Sequence, residues 1–113
     1  MSDVDIPEEL EFFLREFGLS NKHNPSEGVI SYIKQFNTGN KLIFSYEISS
    51  TGYYVSAEIE INNEKISHVC IDEVSSVTFQ SWGDEKIIRV YSKSYHDFRI
   101  HYLPKARIFY GEE

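Results

Sequence analysis

The stretch KLIFSYEISSTGYYVSAEIEI, residues 41–61, decides the fold. Two runs rich in β-branched and aromatic residues flank the turn residues SSTG, which is the pattern of a β-hairpin. Folding about that turn sets Ile48 opposite Tyr53, Tyr46 opposite Val55, Phe44 opposite Ala57 and Leu42 opposite Ile59. All eight side chains then share one face, because strand side chains alternate. The other face pairs Glu47 with Tyr54, Ser45 with Ser56, Ile43 with Glu58 and Lys41 with Glu60. That face is polar, net acidic and carries one tyrosine. A slip of one residue would turn the apolar set into water, so the register is strongly specified.

The rest of the chain extends this pattern in both directions. Upstream, VISYIKQF (residues 29–36) fits either a helix or a strand, and its β-branched and aromatic content favours a strand. Downstream, INNEKI holds a tight turn, and KISHVCID, SVTFQSW, KIIRVYS, DFRIHYL and ARIFY are strand-like, joined by short polar turns. In residues 96–110, Phe98, Ile100 and Tyr102 point one way and Asp97, Arg99 and His101 the other. Pro104 breaks the run, after which Ala106, Ile108 and Tyr110 face the core and Lys105, Arg107 and Phe109 face out. The expected class is mainly β: an antiparallel meander of about eight strands forming a curled sheet, sandwich or half-barrel.

One helix is expected, at the N-terminal end. In DIPEELEFFLREFG, Asp5 suits a cap, Pro7 suits the first turn and Gly18 suits the stop. Leu10, Phe13, Leu14 and Phe17 recur at helical spacing and predict the buried stripe. Glu8, Glu9, Glu11 and Glu16 form an acidic outer face against the single Arg15.

A chain of 113 residues with 41% hydrophobic residues is a single domain with a core of its own. Cys70 is the lone cysteine, which excludes an internal disulfide; a buried thiol and a reducing, cytoplasmic setting are expected. No window is apolar for long enough to span a membrane, and the first ten residues carry no signal-peptide pattern. Charge is uneven: residues 1–85 carry a net −10 and residues 86–113 a net +3. An acidic field repels nucleic acid and anionic membrane and attracts basic partners.

Catalytic readings find little support. His96 and His101 would be the acid and base of a metal-free ribonuclease, with Arg99 or Lys105 stabilising an anion; both histidines are expected at the surface as ordinary strand and turn residues. His23, His68, His96, His101 and Cys70 lack any metal-ligand spacing; His68 and Cys70 alternate onto one strand face and are expected to line the core. Stacking of nucleic-acid bases would rest on Lys86, Arg89, Lys93, Arg99, Lys105 and Arg107 with Tyr91, Tyr95 and Phe109, against the acidic remainder. These basic side chains are expected instead to neutralise the acidic first part of the fold.

The acidic opening MSDVDIPEELEFFLREFG and the acidic hairpin, with the size, charge and β-rich architecture of the whole chain, resemble the small immunity proteins of bacterial polymorphic-toxin systems, including contact-dependent growth inhibition. The resemblance implies a non-enzymatic, cofactor-free protein that neutralises a basic toxin domain, often a nuclease, by covering its active site. Carboxylates can imitate the phosphates such a nuclease grips, and aromatic side chains can supply desolvated anchors. The partner-binding residues expected on that basis are Glu8 and Glu11 of the helix and Glu47, Tyr54, Glu58 and Glu60 of the hairpin. Asp72, Glu73 and Trp82 complete the set. A ligand-binding β-barrel module is the alternative, and a ribonuclease-like enzyme comes third.

Overall fold

The computed structural model describes residues 5–49, 52–93 and 96–112. A short helix, α1 (Glu9–Leu14), precedes nine strands: β1 (Gly18–Leu19), β2 (Val29–Gln35), β3 (Lys41–Ser49), β4 (Gly52–Ile61), β5 (Glu64–Ile71), β6 (Val74–Trp82), β7 (Glu85–Ser92), β8 (His96–Leu103) and β9 (Arg107–Glu112). They form two antiparallel sheets in strict chain order, β1-β2-β3-β4-β5 and β6-β7-β8-β9. The two sheets stay separate, so the meander is a sandwich and not a closed barrel. One core, with Leu42, Phe44 and Val55 from the first sheet and Val77, Ile88 and Ile100 from the second, lies between them.

The hairpin has the register read from its alternation. Ile48 pairs with Tyr53, Phe44 with Ala57, Glu47 with Tyr54 and Lys41 with Glu60; Ser50 and Thr51 of its turn lie outside the described residues. Residues 29–35 form the strand β2, as their composition favours. Asn62 and Asn63 make the next turn, both with positive φ (54° and 66°). Asparagine tolerates that region, and two such residues in a row match the twist of the flanking strands. Phe98, Ile100 and Tyr102 are buried in the core and Arg99 lies on the outer side, as the alternation in β8 requires.

The helix differs from its expectation. Asp5 caps nothing: its carbonyl accepts the Val77 N–H at 2.8 Å, tying the chain before α1 to β6. The helix stops well before Gly18: its last residue is Leu14 and its C-cap is Arg15, three residues short of the glycine. The Phe17 N–H donates to the Phe12 carbonyl and the Glu16 N–H to the Phe13 carbonyl, both at 3.0 Å. That double return is a Schellman stop, and Glu16 occupies its left-handed position at φ 68°. The Phe12 and Phe17 rings meet edge-on at 5.6 Å, the apolar contact that accompanies such a stop.

The buried face of α1 is also not the expected stripe. Phe12 is the helix residue that is buried. Its ring stacks on Tyr32 at 4.0 Å and on Phe44 at 5.4 Å, and meets Phe79 of the second sheet at 5.0 Å. Leu10, Phe13 and Leu14 remain 63%, 41% and 68% exposed. A helix of six residues makes less than two turns. It inserts a single ring between the sheets, and the ring contacts that Tyr32, Phe44 and Phe79 offer there, not the longest periodic run, decide which one.

Candidate functional site

Three surfaces carry the residues that sequence reasoning singled out. The first is the outer face of β3–β4–β5. It holds Glu47, Tyr54, Glu60, His68 and Cys70, since Ser56 pairs with Cys70 and Glu58 with His68. His68 and Cys70 do share a face, as expected, but it is the outer one, and both are exposed. Val69 and Ile71 take the core side instead. Partial burial, and then the nearby Glu47 and Asp72 carboxylates, push the Cys70 thiol pKa up, so the thiolate is disfavoured.

That outer face is not an open acidic plane. The segment following β1 folds back over it as a strap. Ser20 Oγ donates to Ser31 Oγ at 2.6 Å, and Ser31 Oγ lies 2.7 Å from Ser45 Oγ. The Ser31 N–H donates to His23 Nδ1 at 3.0 Å. Lys22 Nζ then donates to Glu58 Oε1 at 2.7 Å and seals a carboxylate that is only 4% exposed. Burial alone would raise the Glu58 pKa; the Lys22 hydrogen bond and charge, helped by Lys65 and His68, outweigh it and hold the carboxyl below its usual range. Glu58 is therefore a buried latch residue and not part of an exposed acidic face. Tyr54 is half-buried and lines a small cavity of about 200 Å³ with Glu47, Ser56 and Cys70.

The second surface is α1 with an adjoining cleft of about 640 Å³. Phe79 and Tyr102 lie at its back and Leu14 and Leu103 on its walls, with Glu11, Arg15, Glu16 and Lys86 also lining it. Arg15 is engaged: its guanidinium lies 3.9 Å over the Phe79 ring and donates to Glu11 Oε1 at 3.0 Å. Lys86 Nζ donates to Ser81 Oγ at 2.7 Å. Behind α1 the buried Lys34 donates to the Arg15 carbonyl at 3.0 Å and lies 3.4 Å from Glu16 Oε1.

The third surface is the outer face of the second sheet, where cations alternate with aromatic rings. Arg99 lies 4.1 Å from the Phe109 ring and 4.8 Å from the Trp82 ring; Arg89 lies 5.2 Å from Tyr91 and 5.5 Å from Trp82. Asp97 sits within 3.2 Å of both guanidinium groups. Arg89 and Arg99 thus pair with a carboxylate of their own strand pair, while Arg107 pairs with Glu85 of the acidic first part of the chain. The guanidinium groups also cover the ring faces on which bases would stack; Tyr95 lies outside the described residues.

His101 is not a surface histidine. It is buried, with Nδ1 at 2.8 Å from Glu85 Oε1 and Nε2 at 3.5 Å from Arg107 Nη2. Burial and the Arg107 charge lower its pKa, against the raising effect of Glu85. Both ring nitrogens are taken up by this network, and the side chain of His96, the other half of the catalytic reading, lies outside the described residues. Among the described residues no three His, Cys, Asp or Glu side chains converge on a common point. No helix among them is long and apolar enough to cross a membrane.

The expected partner-binding residues are thus divided. Glu11 lies on α1 and Glu8 at its N-cap, Glu47, Tyr54 and Glu60 on the hairpin with Glu58 buried beneath Lys22, Asp72 and the left-handed Glu73 in the exposed turn before β6, and Trp82 on the third surface. Sequence reasoning missed the exposed Leu10, Phe13 and Leu14 and the cleft beside them. A signal was present: five large apolar residues within positions 10–17 wrap around more than one side of a helix, so some of them have to stay outside.

No family model matches the sequence, and no curated protein matches it. The fold does have a counterpart among solved structures. A chain of the contact-dependent growth inhibition toxin–immunity protein complex from Klebsiella pneumoniae 342 superposes with a TM-score of 0.77 at 19% identity, covering 98% of this chain and 98% of that one.

Proposed function

We propose that this chain is an immunity protein that binds the toxin domain of a polymorphic-toxin system and blocks it by covering its active site. The observation that carries the reading is the fold likeness over nearly the whole length of both chains to a member of a toxin–immunity complex. Such a complex offers two roles, and the charge of this chain favours the inhibitor. A nuclease toxin has to be cationic where it grips phosphates. A chain with net charge −7, and with exposed Glu8, Glu9, Glu11 and Glu47, suits the inhibitor of such an enzyme. The occupied nitrogens of His101 favour this reading over a ribonuclease-like enzyme, and the two separate sheets favour it over a ligand-holding barrel.

The test is neutralisation. The C-terminal toxin domain encoded beside this gene is expressed in a sensitive host with and without the chain. Restored growth, together with a 1:1 complex on size-exclusion chromatography, is the expected result. Continued killing with no complex removes the reading.

A further inference from the structure

We propose that the toxin docks on α1 and the adjoining cleft, placing an apolar side chain between Leu14 and Leu103 and cationic side chains around the helix; this rests on the immunity reading above. Three features converge there. First, α1 places one ring, Phe12, in the core, leaves Leu10 and Leu14 largely in water and keeps Phe13 partly exposed with its ring edge-on to Tyr32. The three side chains form an exposed apolar patch on one short helix, and such patches mark interaction sites. Second, the patch continues through Leu14 into the cleft, where Leu103 and Tyr102 add apolar surface, Arg15 covers the Phe79 ring and Lys86 is held by Ser81. A cleft with both apolar and polar walls beside an exposed apolar patch is a shape in which a partner's anchor is desolvated while its polar groups stay bonded.

Third, the charge around the patch selects the partner. Glu8, Glu9, Glu11 and Glu16 surround the apolar residues, and all four are exposed. The one cation of α1 and its flanks, Arg15, is already bonded to Glu11 and stacked on Phe79. The rim of the helix is therefore anionic, and it fits a protein surface with an apolar centre and Lys or Arg around it. The other two surfaces fit less well. The hairpin face has its deepest carboxylate sealed by Lys22, and the third surface presents Arg89, Arg99 and Arg107 to an approaching cation.

The test measures binding of the same toxin domain to the full-length chain and to two variants, Leu10→Glu/Leu14→Glu and Leu103→Glu, with melting recorded for each. The substituted side chains are solvent-exposed, so melting is expected to stay within a few degrees of the parent. Affinity is expected to fall at least about tenfold in both variants, the size of one lost anchor. A parent that binds, with both folded variants binding within tenfold of it, overturns the docking surface and leaves the immunity reading standing. A parent that fails to bind overturns both.

Discussion

Lys22 Nζ and Glu58 Oε1 meet at 2.7 Å across 36 residues of sequence, and this ion pair holds a strap against the outer face of the first sheet. Half of the lysine side chain remains in water while the carboxylate is buried. The pair is thus unequal: losing the lysine leaves a buried anion, and reversing the glutamate leaves two cations together. Lys22→Ala is expected to cost about 2 kcal/mol, less than a fully buried pair because water can reach the vacated position. Glu58→Lys is expected to cost more, although the residue looks like a surface acid in the hairpin pattern. Urea denaturation of both variants checks the order.

Phe12 and Leu14 sit two residues apart on α1 and have opposite roles. Phe12→Ala opens a cavity between Tyr32, Phe44 and Phe79 and is expected to cost about 3–5 kcal/mol. Leu14→Ala is expected to change stability by no more than about 0.5 kcal/mol. Thermal melting of the two distinguishes this helix placement from one that buries the Leu10–Leu14 stripe.

Glu16 holds a left-handed conformation that favours glycine. Glu16→Gly is expected to change stability by no more than about 0.5 kcal/mol, because relief of the backbone strain is offset by the entropy cost of glycine and by the loss of the carboxylate beside the buried Lys34, which keeps its bond to the Arg15 carbonyl. A denaturation midpoint lowered by more than this would show that the contact with Lys34 outweighs the strain.

His101 ties stability to acid. Burial and Arg107, with a smaller contribution from Arg99, lower its folded-state pKa below the ordinary 6.5, against the opposing effect of Glu85. The unfolded chain then binds more protons between the two values, so the contribution is complete above about pH 6.5 and is lost as pH falls through the folded value. Glu58 adds a second loss in more acidic solution, because its folded pKa also lies below the ordinary 4.5. Melting followed from pH 8 to pH 4 is expected to decline below about pH 6.5, and His101→Gln is expected to remove the first part of that decline. An unchanged profile in the variant would assign the decline to other groups.

The strand pairing was legible in the sequence because it is written locally. Two-residue alternation and a turn fix which side chains share a face, and so Phe44 meets Ala57 and Glu47 meets Tyr54 as the pattern requires. The alternation of β8 was equally plain, because Phe98, Ile100 and Tyr102 differ sharply in polarity from Asp97, Arg99 and His101. What covers each face was decided by residues far away in the chain. Glu58 looks like a solvated acid until the strap from β1 brings Lys22 onto it, and His101 looks exposed until Glu85 and Arg107 close over it. His68 and Cys70 have no strong preference for either side, so only pairing with Glu58 and Ser56 placed them outward. The helix shows the same division. Its existence follows from composition, but the choice of Phe12 over Leu10, Phe13 and Leu14 follows from Tyr32, Phe44 and Phe79, which the two packed sheets bring around that one ring.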